Sequence, residues 1–384
     1  MHVALNGWFW DQPHTGSGQY LRGLLHALRR AASDVQLTLV LPPHTAEVDD
    51  LPPGVSVVPT TGPGGRWGKV WFEQRIFPRM VAQVGAQIAH VPYWGPPLTA
   101  PAPLVVSVLD VIPLALPDYA RGFRARLYTA LVSAAARGAA HILTLSHAAK
   151  LDIEEHLGIS PERITPTYLA PDERYHPRLG AESDSAVRAK YNLPDRFVLY
   201  LGGFDVRKQV NQLLLAHTYV LQGDDVPLVL AGRAPRWGSS LFPDLPRYAA
   251  DLGIADSVQW LGYVDEADKP SLYRLASVFV FPSRYEGFGL PVVEAMACGT
   301  PVVANEVSSL PEIVGDGAFL VEPGNARAMA GAIIALLLQE PLRHAQINAG
   351  LAQVTRYSWR KTAQQTLMVY RRALGAGPVD RLNP

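Results

Sequence analysis

Residues 277–304 restrict the fold more than any other stretch of the chain. Ser277-Val-Phe-Val-Phe281 is a short apolar run bounded by Pro282, the pattern of a buried strand. A loop with two glycines follows, Gly287 and Gly289. Pro291 then stands where a first helical turn tolerates proline. Residues 292–298 read as the helix, Gly299 stops it, and 300–304 form the next strand. Phe288, Gly289 and Leu290 therefore offer backbone N–H groups at a helix N-terminus, where an anion is favoured. Glu286 lies just before that loop and Glu294 one turn inside the helix. An anion cradle flanked by carboxylates that accept from hydroxyls suits a phosphorylated sugar or a nucleotide. An ordinary strand–loop–helix turn with two solvated carboxylates is the plainer alternative, and the completeness of the pattern weighs against it.

The same alternation runs through the rest of the chain. Short buried-strand patterns recur at 3–6, 35–41, 55–58, 87–91, 104–109, 142–146, 197–201, 226–231 and 258–264. Helical patterns recur from Leu21, at 147–157, 210–220, 272–276, 326–339 and 359–374. This predicts an α/β protein with two doubly wound parallel sheets. The 384 residues are enough for two domains, and 48% hydrophobic with 18% charged residues is the composition of a globular protein. The 33 prolines and 32 glycines punctuate the runs. A formal net charge of zero gives no reason to expect nucleic acid as a partner. Cys298 is the only cysteine, so no internal disulfide and no cysteine-based zinc cluster can form, and a reducing compartment fits. The N-terminus lacks a basic leader, and no apolar run approaches the ~20 residues of a spanning helix.

In the first half, His14-Thr-Gly-Ser-Gly-Gln-Tyr20 forms a loop between a first strand and a first helix. Gly16 and Gly18 begin a dinucleotide fingerprint, but its third glycine would fall at Leu21, which disfavours an NAD site. Residues 66–80 interleave Trp67, Trp71, Phe72, Ile76 and Phe77 with Arg66, Lys69, Arg75 and Arg79. Such a helix either lies on a membrane surface or packs on a sheet with solvated arginines, and the second reading is preferred. Asp110 follows a strong buried strand and is a candidate acid/base or acceptor-contact group; a helix-capping or turn aspartate is the alternative. The polar stretch 173–185 reads as a linker.

In the second half, Gly202-Gly-Phe-Asp-Val-Arg-Lys208 follows the first strand of a second domain. A lysine at the mouth of a glycine turn is a point charge suited to phosphate. Lys208 is the candidate, with Arg207 beside it.

Arg284-Tyr-Glu-Gly-Phe-Gly-Leu-Pro-Val-Val-Glu294 and its Ala-Cys-Gly-Thr-Pro-Val-Val continuation resemble the glutamate-pair motif of the retaining family-4 glycosyltransferases, and the likeness extends over residues 16–374. The mannosyltransferase B-like subgroup is nearest, on Asp110-Val-Ile-Pro-Leu and the Arg207-Lys208 turn. The resemblance implies a GT-B fold, two Rossmann-like domains facing a central cleft. It implies an acceptor domain over 1–175, a donor domain over 186–355, and a terminal helix within 356–384 that crosses back to the first domain. It places Glu286 near the donor sugar, Glu294 on the ribose, and the N–H groups of Phe288, Gly289 and Leu290 on the diphosphate. Lys208 aligns with a phosphate-binding lysine, Gly16 and Gly18 with a loop that reaches the donor phosphates, and Tyr263 and Val264 with backbone that contacts the base. Two positions depart from the family: Leu109 replaces a histidine that faces the donor sugar, and Gly203 replaces a phosphate arginine, a charge that Arg207 can supply.

The function so implied is hexosyl transfer from a sugar nucleotide, GDP-mannose preferred, to a glycan or lipid-linked glycan acceptor in polysaccharide biosynthesis. Glu286, Asp110 and Lys208 would carry the chemistry without a cofactor. No Asp-x-Asp occurs in the chain, so no metal is expected. The enzyme would work in the cytoplasm, with peripheral contact to the inner membrane face open. A UDP-glucose-type donor is the alternative. A non-catalytic nucleotide-sugar-binding protein of the same fold is another, kept open by Leu109 and Gly203. A phosphorylase-like enzyme would need a pyridoxal phosphate lysine, for which no motif supports a place.

Overall fold

A computed structural model describes residues 1–45, 48–63, 67–120 and 122–375. The chain forms two compact units, Met1–Leu169 with Ser358–Pro384, and Ala170–Tyr357.

The first unit holds strands β1 (His2–Asn6), β2 (Gln36–Leu41), β3 (Val55–Pro59), β4 (Ile88–Val91), β5 (Leu104–Ser107), β6 (His141–Thr144) and β7 (Ile164–Pro166). All pair in parallel in the order β3-β2-β1-β4-β5-β6-β7. Val3, at the centre, pairs with both Leu37 and Ile88. The central strands are buried on both faces, which is why they read as unbroken apolar runs rather than alternating ones. Strand order reverses between β1 and β4, the place where open α/β sheets bind ligands.

The first helix begins earlier than its leucine pattern indicates. It spans Gly16–Ala31, with Thr15 as N-cap accepting from Gly18 N–H at 3.1 Å. Gly16 and Gly18 are thus in its first turn and not in the preceding loop. The 66–80 segment also differs. Arg66 lies outside the described residues. Helix Gly68–Trp71 runs into a π-helical turn at Phe72–Ile76 and then helix Phe77–Gln83. Pro78 explains the wide turn: its ring would clash with the carbonyl four residues back, and Phe77 N–H reaches Phe72 O instead. Arg75 and Arg79 are exposed, but Lys69 turns inward. Its ammonium sits 5.1–5.2 Å from the rings of Phe9, Tyr93 and Tyr128 and 3.7 Å from the fully buried Glu73. Burial pushes the Glu73 carboxyl up to about 7, against the pull of Lys69.

The last helix, Trp359–Ala373, packs on Gly16–Ala31. Tyr370 Oη meets His90 Nδ1 at 2.6 Å, and His90 Nε2 meets Ser107 Oγ at 2.9 Å, all fully buried.

The second unit holds β8 (Val198–Leu201), β9 (Leu228–Ala231), β10 (Val258–Gly262), β11 (Val278–Phe281), β12 (Val302–Asn305) and β13 (Phe319–Val321). They form a parallel sheet in the order β10-β9-β8-β11-β12-β13, with reversal between β8 and β11. Both sheets therefore repeat the doubly wound arrangement. Helices Phe123–Arg137 and Glu340–Val354 and strands β7 and β13 lacked a sequence signal strong enough to predict them.

The stretch 173–185 is not a linker. It folds into the second unit, with a 3-10 turn at Ala181–Ser183. The Arg274 guanidinium binds it by donating to Asp184 and to the carbonyls of His176, Leu179 and Gly180. Tyr175, 6% exposed, is buried from the same stretch. One buried guanidinium organises a segment whose own composition is that of a loop.

Candidate active site

Two turns meet at the reversal point of the second sheet. The turn after β8 ends in the 3-10 segment Val206–Lys208 and leads into helix Val210–Val220. The turn after β11 carries Glu286 and leads into helix Leu290–Ala297. Arg284 N–H donates to Arg207 O at 2.9 Å and joins them. Asn305, fully buried at the end of β12, donates through Nδ2 to Pro282 O at 2.6 Å and to Gln209 Oε1 at 3.3 Å.

The side chains converge on one oxygen. Glu286 Oε1 accepts from Lys208 Nζ at 2.6 Å, Arg207 Nη1 at 2.8 Å and Ser283 Oγ at 2.5 Å. Arg207 Nη1 also donates to Tyr285 O at 2.7 Å, and Lys208 Nζ stands 4.9 Å from the Phe281 ring centre. Burial alone would raise the Glu286 carboxyl; Lys208 and Arg207 outweigh it and hold it below its usual range. Burial lowers the Lys208 ammonium, with Glu286 opposing.

Backbone strain surrounds this cluster. Gln209 and Ser308 adopt left-handed conformations, at φ 47° and 52°, costly for residues with a Cβ. Ser308 Oγ donates to Glu286 O at 2.7 Å, and Ser309 Oγ donates to Glu286 O at 2.9 Å and Phe288 O at 3.0 Å. Gly289 is the N-cap of helix Leu290–Ala297 at φ 98°, and a Cβ there would lie 2.7 Å from Leu310 Cδ2. Only glycine satisfies both conditions. Among the described residues, no protein acceptor pairs with the N–H groups of Gly289 and Leu290, which stay available at the positive end of the helix.

Glu294, 6% exposed, accepts from Tyr273 Oη at 3.0 Å, and the buried Tyr175 ring packs edge-on at 6.0 Å from that of Tyr273. Burial pushes its carboxyl up to about 7, against the attraction of Lys269. Tyr263 is 47% exposed at the end of β10, while the Val264 side chain is buried. Gly203 is exposed and its carbonyl accepts from Tyr200 Oη.

The structure thus brings together Arg207, Lys208, Glu286 and the 288–290 backbone, and sets Glu294 one turn into the same helix. Sequence reasoning missed their supports, Ser283, Ser308, Ser309, Asn305, Tyr175 and Tyr273. Only Ser308-Ser309, two hydroxyls ahead of a helix start, carried a local signal.

In the first unit, Gly16 borders open space. Gly18 has a packing duty: a Cβ there would come 2.0 Å from Gln12 O. Asp110 Oδ1 accepts from Ile112 N–H at 3.1 Å, two residues on.

Residues 184–353 match the family described as Glycosyl transferases group 1, and residues 15–170 match the Glycosyl transferase 4-like domain. The chain is 34% identical over 285 residues to the O-antigen chain mannosyltransferase B of Escherichia coli, covering 73% of this chain and 74% of that protein. The fold is that of sucrose-phosphate synthase from Thermosynechococcus elongatus, with TM-score 0.77 and 23% identity over 98% of this chain and all of that one. It is also that of Anabaena Alr3699/HepE in complex with UDP-glucose, with TM-score 0.71 and 20% identity over 98% of this chain and all of that one. The chain belongs to the family-4 glycosyltransferases of GT-B fold.

Proposed function

We propose that the protein transfers a hexosyl group, with retention of configuration, from a nucleoside diphosphate sugar to a glycan or lipid-linked glycan in polysaccharide biosynthesis. The observation that carries this is the convergence of Lys208 and Arg207 on Glu286 beside a helix N-terminus at the sheet's reversal point. In the step, the bond between the anomeric carbon and the diphosphate oxygen breaks. A bond from an acceptor hydroxyl forms on the same face, and the hydroxyl proton leaves with the diphosphate. Lys208, Arg207 and the N–H groups of Phe288, Gly289 and Leu290 stabilise the charge that builds on the leaving group. Glu286, released from the two cations by the incoming diphosphate, takes sugar hydroxyls. Glu294 takes the ribose, Tyr263 and Val264 lie along the base, and Gly203 leaves room beside the phosphates. In the first unit, the family resemblance supports a donor role for Gly16 and Gly18, in the first turn of the first helix, and an acceptor role for Asp110. Two cations and a helix dipole perform the task a metal would otherwise serve, so no cofactor is needed.

The preferred donor is GDP-mannose, supported by the likeness to a mannosyltransferase. UDP-glucose is the second reading, supported by the likeness in fold to a protein solved with it. No described helix is long and apolar enough to cross a membrane. The exposed Trp67 and Trp71 beside Arg75 and Arg79 support a peripheral contact at the inner, cytoplasmic membrane face. Incubating the purified protein with GDP-mannose or UDP-glucose and a lipid-linked glycan, with Lys208→Ala beside it, tests the reading. Mannosyl transfer giving an α-linked product, lost in the variant, is expected. Transfer from UDP-glucose alone overturns the donor, and a β-linked product overturns retention.

A further inference from the structure

The loop 232–244, which follows β9, has no role in the site so far. It is anchored at both ends beside that site. Gly232 N–H donates to Gly262 O at 2.8 Å, tying the ends of β9 and β10. Near its far end, Leu241 O accepts from Val206 N–H at 2.8 Å, next to Arg207 and Lys208. Between them, Trp237 packs with Phe204 and Trp260, ring centres 5.5–5.9 Å apart. The loop thus runs from the end of β10 to the phosphate-facing turn. The pairing of β10 with β9 slips between Trp260 and Gly262, an irregularity of the kind that re-aims the side chains after it. The next residue is Tyr263. Arg233, exposed, lays its guanidinium 5.4 Å from the Tyr263 ring centre. Among the described residues it has no carboxylate partner.

We infer that Arg233 reads the nucleobase of the donor and selects guanine. This rests on the reading of the donor as a guanosine diphosphate sugar, with its base along Tyr263 and Val264. The contact with Tyr263 engages the charge of the guanidinium and uses none of its N–H groups, which leaves the fork for a second ligand. Guanine presents two adjacent acceptors, O6 and N7, that match the fork; adenine sets a donor beside N7. Uracil has no N7. The tyrosine ring holds the fork in place before the base arrives, which lowers the ordering cost of the contact.

Calorimetric titration of the full chain with GDP, 7-deaza-GDP and UDP tests this, with Arg233→Ala and Arg233→Lys beside the wild type. Losing N7 removes one arm of the fork. The wild type should bind GDP roughly tenfold more tightly than 7-deaza-GDP. In Arg233→Ala the two should bind alike, with GDP weakened towards UDP. Arg233→Lys should fail to restore the preference, since one ammonium cannot span both acceptors. Arg233 is exposed, so the thermal midpoint of both variants should stay at the wild-type value. If GDP binds and Arg233→Ala keeps the wild-type ratio, the role of Arg233 is overturned while the donor reading stands. If the wild type binds UDP and not GDP, both fall together.

Discussion

Lys208 Nζ lies 2.6 Å from Glu286 Oε1, and this ion pair joins the group proposed to hold the leaving diphosphate to the group proposed to hold the sugar. Both side chains are only about one-eighth exposed, at 12% and 13%. A diphosphate brings stronger, multiple acceptors to Lys208 and Arg207. On the proposed reading, donor binding would exchange one anion for another at the same cations and free Glu286 for hydroxyls. The cations thus stay satisfied in both states, which limits the cost of holding them buried.

Lys208→Ala should lower kcat/KM about a hundredfold or more, the scale of losing one charge-stabilising group in a transition state. Arg207 remains on Glu286 at 2.8 Å, so the variant should fold. Steady-state kinetics beside circular dichroism checks both. Lys208→Arg should restore little, because the planar fork cannot occupy the position of a compact ammonium over Phe281. A kcat/KM within threefold of wild type for Lys208→Ala would remove the lysine from the mechanism.

Nucleotide binding should depend on pH through Glu294, whose carboxyl is pushed up to about 7 mainly by burial. Ribose hydroxyls donate better to the carboxylate than to the acid, so binding favours the ionised form. Affinity should rise between about pH 6 and pH 8 with release of a proton. Titration in two buffers of different ionisation heat measures that proton, and Glu294→Gln should abolish it. The stability effect has the opposite sense. A carboxyl with a raised folded-state pKa contributes stability below its ordinary range and loses it as pH rises through about 7.

Gly289→Ala should damage the site without touching a charge. Its φ of 98° and the 2.7 Å approach of Leu310 Cδ2 leave no room for a methyl group. The strain of a side chain in that conformation is about 1–3 kcal/mol, and relieving it turns the N–H groups of Gly289 and Leu290 away from the ligand. We expect a lower thermal midpoint and at least tenfold weaker binding of nucleoside diphosphate, with nucleoside binding affected less. Equal loss for nucleoside and diphosphate would place the damage elsewhere.

Tyr370→Phe tests the anchoring of the last helix in the first unit. It removes the hydroxyl 2.6 Å from His90 Nδ1 and leaves a buried imidazole nitrogen unpaired, a loss of about 1–3 kcal/mol. Burial pushes His90 down to about 3, so it stays neutral in the fold. Its contribution to stability is present above the ordinary histidine range and fades as pH falls through it. Chemical denaturation should show the loss in the first unit, with nucleotide binding by the second unchanged.

The strands were legible because parallel sheets covered on both faces leave unbroken apolar runs, as at Val278–Phe281. The Glu286–Glu294 motif was legible because its two glycines, one proline and two carboxylates must stand at fixed spacing along one turn and one helix. Helix Phe123–Arg137 was not, because Ala125, Leu127, Ala130 and Leu131 in its N-terminal half all face solvent or lie half-buried and blur the apolar stripe. The inward turn of Lys69 was hidden for a related reason: a wide helical turn shifts the face on which every neighbouring residue lies.

The sequence by itself determined the alternation of strand and helix, the two-sheet α/β class and the local chemistry of the loop at Glu286, since each depends on residues close together in the chain. Tertiary structure alone decided that Glu286 rests on Lys208 and Arg207, some eighty residues away in sequence. It also decided that Tyr175, from a stretch with the composition of a linker, packs against Tyr273, the partner of Glu294, and that Tyr370 closes on His90. Those contacts join elements distant in the chain. No local propensity encodes them, and they form only where the order of strands in the sheet and the packing of helices on it bring the side chains within reach.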